Sequence, residues 1–277
     1  VLGLTFKGVH ISEIGAVWKS NNISLVPDAK NFYEDCPEID GELDFSSANI
    51  DGHPHYHDRI FEGVLQMKER NLEYLQYSLS KMAKWLMGDW GELVFDHMPS
   101  TIWTAKIENV DSLRYEIGRI GKATVFFRAK PFSDWIYNSQ SGGVILDDPI
   151  LLEMSNIPLD QEFNETYTFA DLRDVSIMNY GDWHTKPVIE ITGNFSWVQI
   201  TCGSRHIRYT GSCGIGDTIS IDCKTCIITK NGNNSSLYSS GNFIEFAHGA
   251  NPVTITSNGS GQAKFIFNYK FIFGACI

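Results

Sequence analysis

The sequence predicts a mainly β protein: a β-rich N-terminal domain over residues 1–135 with one α-helix, followed by a C-terminal β-sandwich over residues 136–277. Three observations carry this expectation. A single segment has the apolar stripe of a helix. The second half is a run of short strand-like stretches separated by Gly and Asn, the pattern of a sandwich. Between the halves lies Ser139-Gln140-Ser141-Gly142-Gly143, small, polar and Gly-rich, a composition suited to a boundary that few contacts cross.

In the first half, Leu2, Leu4 and Phe6 alternate with Gly3, Thr5 and Lys7 as a strand that Gly8 ends. A turn-rich region runs on through Pro27, Pro37, Gly41 and Gly52, and strand character returns over Arg59 to Met67. Leu72, Leu75, Leu79, Met82 and Leu86 then recur at three- and four-residue spacing, with Asn71 at the N-cap position and Gly88 at the C-terminal cap. This predicts a helix of about four turns whose stripe packs on the sheet of its own domain. Glu92–Phe95 and Ile102–Ile107 predict a hairpin around Met98-Pro99-Ser100, and Lys122–Lys130 alternates as a strand that Pro131 stops.

In the second half strands are expected at Pro187–Thr192, Phe195–Thr201, His206–Tyr209, Thr218–Ile221, Thr225–Thr229, Phe243–Phe246, Val253–Ser257 and Ala263–Phe273. The last places Phe265, Phe267, Tyr269, Phe271 and Phe273 on one face. Consecutive rings on one strand face are expected in a core before they are expected as a stacking platform for sugars or bases.

Composition narrows the function. A net charge of -11 works against sequence-independent nucleic-acid binding, which needs Lys and Arg to neutralise phosphates. No apolar run reaches the ~18 residues of a membrane span, and the N-terminal residues lack the basic head and apolar stretch of a signal peptide, so synthesis in the cytoplasm is expected. Six cysteines, at 36, 202, 213, 223, 226 and 276, are too sparse for a secreted disulfide scaffold. Cys223 and Cys226 form a Cys-x-x-Cys pair with Cys202 and Cys213 upstream. Without a second knuckle or a helix start, buried free thiols are the expectation, ahead of zinc or a disulfide.

His53, His55 and His57 alternate, so an extended backbone would aim all three the same way; they are the metal candidates of the chain. Gly52 and Pro54 around them favour a solvated loop instead, and no cofactor is expected. The carboxylates are scattered, and no phosphate-binding loop, Gly-x-Ser-x-Gly elbow or His-Glu-x-x-His helix is present, so no enzyme is expected.

Several segments, in order, resemble the distal tail protein family of long-tailed bacteriophages, the siphophage tail component. Leu4-Thr5-Phe6-Lys7-Gly8-Val9 is similar to its opening strand, and Cys36 to Phe45 to a segment in which Pro and an Asp-Gly turn precede a small-polar-aromatic stretch. Ile39 stands where the family often has a basic residue. Asp58-Arg59-Ile60-Phe61 resembles the strand entering the helix, Leu79 to Phe95 the helix-to-hairpin passage, and Gly121 to Phe132 the closing strand. Asn179 to Gly193 is similar to the entry into a galectin-like sandwich, while Asp147 to Thr168 departs from the pattern.

The resemblance implies a ring-forming (belt) N-terminal domain, usually six copies around a channel for DNA, with galectin-like sandwiches facing outward. It implies a structural role at the virion tail tip, joining the tail tube to the tip or baseplate complex, after assembly in the bacterial host cytoplasm. Implied partners are further copies of the chain, the tail tube protein, the tape measure protein, the tail-associated lysin or tip protein, and receptor-binding or baseplate proteins. Ring residues are not readable from sequence; Ser20 to Asp58 is the candidate arm, with an ordinary surface loop as the equal alternative. With this charge, the channel wall is expected to be neutral to acidic. The alternative is a host-surface glycan-binding protein using the sandwich, with Trp183 or Trp197 as anchor.

Overall fold

The computed structural model describes residues 3–49, 52–67, 72–108, 122–143 and 162–274. The chain divides into two compact units, one running up to Ser133 and taking in Ile272–Gly274, the other from Asp134 to Phe271.

The first unit holds β1 (Leu4–Phe6), β2 (Val9–His10), β3 (Ala16–Ile23), β4 (Tyr33–Asp35), β5 (Glu42–Asp44), β6 (Arg59–Met67), α1 (Leu72–Leu86), β7 (Gly91–Phe95), β8 (Met98–Ile107) and β9 (Lys122–Ala129). Its antiparallel sheet has the order β2-β1-β7-β8-β9-β6-β3. One face is buried with strict alternation: in β6, Arg59, Phe61, Leu65 and Met67 point inward. Their partners are aromatic, with Phe61 edge-on to Trp103 at 4.9 Å and Phe127 edge-on to both Phe6 and Trp18. The helix covers this face through Met82, Trp85 and Leu86, and Trp85 Nε1 donates to the Phe6 carbonyl at 2.8 Å. At its C-terminus Lys7 Nζ donates to the Met87 carbonyl, a cation on the negative end of the helix. The expected cap Asn71 lies outside the described residues.

Gly63 of β6 has no room for a side chain. A Cβ there would lie 2.1 Å from the Trp18 ring, so Gly63→Ala is expected to cost about 1–3 kcal/mol by overpacking. A urea titration of the variant against wild type measures it; an unchanged midpoint contradicts this packing.

Two expectations in this unit are corrected. The hairpin turns at Asp96-His97, and Met98-Pro99-Ser100 belongs to β8, because Met98 already pairs with Phe95. The stretch after Gly8 contains β2 and β3, the latter paired with β6 along its length with a bulge between Ser20 and Asn22. Its Lys-Ser-Asn-Asn run has poor strand propensity, which the ladder to β6 overrides.

The second unit holds β10 (Ser133–Asn138), β11 (Gly142–Gly143), β12 (Glu162–Phe163), β13 (Thr166–Asn179), β14 (Val188–Asn194), β15 (Val198–Cys202), β16 (Arg205–Tyr209), β17 (Thr218–Asp222), β18 (Ile227–Lys230), β19 (Asn233–Asn234), β20 (Ser239–Gly241), β21 (Gly249–Ile266) and β22 (Asn268–Phe271). One curled sheet runs β19-β18-β17-β14-β21-β15-β16-β20, with β13 on the other edge of β21. The long β21 belongs to both layers: Ser260–Ile266 pairs with β14 and Val253–Ser257 with β15. The change of layer falls at Asn258-Gly259, where a Cβ on Gly259 would meet the Asn194 carbonyl at 2.1 Å. Ile189, Ile191, Ile219, Ile221 and Ile228 of one layer face Val198, Ile200, Ile207, Tyr209 and Ile255 of the other in a common core.

Phe265, Phe267, Tyr269 and Phe271 are buried in that core, as expected of them; Phe273, expected with them, lies beyond the end of β22 and packs half-buried on the core of the first unit. Val253–Ser257 and Ala263–Phe273 are expected as separate strands; Val253–Ser257 is instead joined to Ala263–Ile266 in β21, and Asn268–Phe271 is β22, because Asn258-Gly-Ser-Gly261 only bends the strand: the ladder to β13 shifts register there, between Ala170 and Leu172, and resumes on both sides. Phe243–Phe246 makes only an isolated bridge between Phe246 and Thr185.

Glu165 is buried and accepts a hydrogen bond from the Tyr167 hydroxyl; burial pushes its pKa up against that bond. A raised folded-state pKa favours folding below the unfolded value, and this contribution is lost as pH rises through the folded value. Glu165→Gln, which keeps an acceptor for Tyr167, is therefore expected to gain stability relative to wild type as pH rises from 4 to 8. Thermal midpoints measured across that range check it; a constant difference contradicts it.

Candidate functional site

Residues between β3 and β6 form an arm. Its stalk is a narrow antiparallel ribbon: Lys30 N donates to the His55 carbonyl at 2.7 Å, His57 N to the Asp28 carbonyl at 2.8 Å, and Ala29 bridges to Tyr56. Beyond the stalk, among the described residues, β4 and β5 pair only with each other, Tyr33 opposite Asp44 and Asp35 opposite Glu42, and every residue of both is exposed. Leu25, Val26, Phe32, Tyr33, Ile39, Leu43 and Phe45 are all exposed here, with Phe32 and Phe45 ring to ring at 6.3 Å. An isolated two-stranded hairpin is marginal in water, and exposed large apolar side chains gathered on one such segment suit an interaction site. From Asp28 to Phe45 the arm also carries Asp28, Glu34, Asp35, Glu38, Asp40, Glu42 and Asp44 against Lys30 alone.

The root of the arm is held by Arg59, whose exposure is 3%. Its Nη1 donates to the Ser24 carbonyl at 2.9 Å and to the Leu25 carbonyl at 3.3 Å, its Nε to the Pro131 carbonyl at 2.8 Å, and its Nη2 to the Ile272 carbonyl. The guanidinium lies 5.1 Å from the centre of the Trp103 ring. Burial pushes its pKa down to about 10, opposed by Asp28, so it remains a cation at neutral pH. One side chain thereby ties the first residues of the arm to the end of β9 and to the returning chain at Ile272.

The histidines fall on the stalk. The His53 and His55 rings lie 5.9 Å apart, His55 and His57 are exposed, and Tyr56 between them packs on Phe132. Among the described residues neither His55 nor His57 joins a group of three metal-ligating atoms. Cys202, Cys213 and Cys223 are buried thiols, and burial pushes Cys223 up to about 12. Cys226, in contrast to the expected buried thiol, is exposed in a left-handed turn conformation between β17 and β18. Trp183 and Trp197 are half-buried, Trp197 beneath the Arg208 guanidinium at 4.3 Å.

Sequence reasoning placed the arm within Ser20 to Asp58 but missed its root. Arg59 reads as an ordinary strand residue, and nothing local marks it as the partner of carbonyls up to 213 positions away. The hairpin itself had a signal, the Asp40-Gly41 turn between Tyr33 and Phe45.

Residues 180–271 match the family model described as siphovirus-type tail component, C-terminal domain. A search of curated proteins finds no match. Among solved structures the chain is similar to the SPP1 Dit (gp 19.1) protein, described as a paradigm of the hub adsorption apparatus in phages that infect Gram-positive bacteria. That similarity covers 98% of this chain and 99% of that one, with a TM-score of 0.63 and 12% identity. The fold is thus shared end to end, and the family model rests on the second unit. Residues 180–271 are similar to the C-terminal domain of siphovirus-type tail components, and the chain as a whole shares the fold of the SPP1 Dit protein.

Proposed function

We propose that this chain closes into a ring of six copies at the tip of the tail tube, leaving a channel for DNA, and that the arm between β3 and β6 is the element that passes from one copy to the next. The observation that carries this reading is the arm itself: an exposed hairpin bearing apolar side chains, rooted on the core by Arg59. A head-to-tail contact of this kind closes when its rotation divides the circle. The acidic arm calls for a basic or neutral receiving surface on the neighbour. The residues up to 135 then act as the ring-forming domain and those from 136 onward as a galectin-like domain on it. Tail tube, tape measure and tip or lysin proteins are the axial partners, receptor-binding or baseplate proteins the peripheral ones. The net charge of -11 supports a neutral to acidic channel wall that DNA slides past.

Cryo-electron microscopy of intact tails tests this. The reading predicts a sixfold annulus at the end of the tube into which the chain fits. A chain distributed along the tube, or missing from the tail, contradicts it.

A further inference from the structure

The Cys-x-x-Cys pair of the second unit spans the turn between β17 and β18. Asp222 and Ile227 are cross-strand partners, so Cys223 and Cys226 are the first and last residues of the loop that joins them. Asp222 Oδ1 accepts from Lys224 N at 2.8 Å and from Thr225 N at 3.1 Å, which fixes the loop against the end of its own strand. The ends of such a turn have Cα atoms within about 7 Å of each other, and a disulfide spans Cα atoms about 4.4–6.8 Å apart. Cys226 closes the loop at a φ of 58°, and its Sγ donates back over the turn to the Cys223 carbonyl at 3.9 Å.

The two sulfurs differ in what surrounds them. Cys223 is 1% exposed; its N donates to the Pro187 carbonyl at 3.1 Å, and the Ile244 backbone N–H donates to its sulfur. Cys226 is exposed, and a charge on it is close enough to raise the Cys223 thiol further. A reagent in solution therefore meets Cys226, and Cys223 is reached from within the turn. Burial that pushes Cys223 up to about 12 leaves roughly one thiolate in ten thousand at pH 8, but attack between oriented neighbours is favoured over attack by millimolar free thiol by at least that factor. Among the described residues neither sulfur joins a group of three metal-ligating atoms, so a bond between the two is favoured over a metal held by both.

We infer that Cys223 and Cys226 form a thiol–disulfide site: a low-molecular-weight disulfide such as oxidised glutathione enters at the exposed Cys226, the buried Cys223 resolves it, and the bond fastens the exposed start of β18 to the buried end of β17. The Cys226 thiolate attacks one sulfur of the reagent, giving a mixed disulfide and one released thiolate. The Cys223 thiolate then attacks the Cys226 sulfur and expels the second. Two cysteine thiols are oxidised, the reagent is reduced to two thiols, and the two protons lost by the cysteines end on them. In a reducing compartment the pair stays as thiols; in an oxidising medium it closes.

The test uses the purified, folded chain, incubated with oxidised glutathione or with dithiothreitol, alkylated, and mapped by mass spectrometry of its peptides. Glutathione is expected to leave Cys223 linked to Cys226 in most chains and dithiothreitol in none, while the buried Cys202 and Cys213 stay thiols throughout. The linked form is expected to unfold about 4–8 °C higher, a gain that dithiothreitol abolishes. Cys223→Ala should accumulate glutathione on Cys226 at least ten-fold over wild type, because nothing resolves the adduct. A lasting adduct on Cys226 of wild type beside a free Cys223 overturns the inference, as does a link that forms only after unfolding in guanidinium. A linked form that unfolds no higher than the reduced one overturns the fastening of β18 to β17. Should Cys223→Ala misfold, Cys226→Ser at the exposed position takes its place: Cys223 must then remain an unmodified thiol in the folded chain, and glutathione found on it counts against the inference.

Discussion

Replacing Arg59 with alanine is expected to lower folding stability by about 2–4 kcal/mol, among the largest single-residue effects in the first unit. Four carbonyls, of Ser24, Leu25, Pro131 and Ile272, lose a charged donor at once, and the Trp103 ring loses the cation above it. Charge-assisted bonds of this kind contribute about 1.5–3 kcal/mol each when intact, but partial hydration of the freed carbonyls offsets much of the sum. Arg59→Lys is expected to recover less than half, because an ammonium cannot span carbonyls that a planar fork reaches together. Thermal unfolding measures both; the midpoint is expected to fall roughly 2–4 °C per kcal/mol for a domain of this size. An alanine variant within 1 °C of wild type would show that Arg59 does not hold the root of the arm.

Truncating the arm is expected to act on assembly and not on folding. Phe32→Ser, Tyr33→Ser and Phe45→Ser together remove three exposed rings that no core contact uses. Each ring buried at an interface contributes on the order of 2 kcal/mol, so the triple change weakens each contact between neighbours by about four orders of magnitude in Kd. Size-exclusion chromatography with mass detection should show single chains where wild type gives a closed assembly, with thermal unfolding of the isolated chain unchanged. A triple variant that assembles like wild type would move the contact away from the arm.

What the sequence made legible follows from how local each signal is. The helix, β6 and β9 carry periodic apolar residues that bury one face, and their patterns are enough to place them. The aromatic alternation from Phe265 to Phe271 identifies core for the same reason. β3 was hidden because its middle is Lys-Ser-Asn-Asn, whose strand conformation is set by pairing with β6 and not by its own residues. β13 was hidden because Ala170 to Asp174 are exposed on both faces, so alternation is lost around the bulge where the ladder to β21 shifts register. The candidate site divides the same way. The apolar residues of the arm can be seen in sequence, but that they are exposed cannot, since an exposed Phe and a core Phe are the same letter. Arg59 shows the extreme: its role depends on Ile272 being brought back to the first unit.

The central claim is that the arm closes this chain into a ring. Light scattering of the purified protein over a range of concentrations tests it most directly. The account predicts one discrete species near six times the 31.2 kDa chain mass, stable on dilution. A single-chain mass at every concentration, or open-ended growth with concentration, would contradict it.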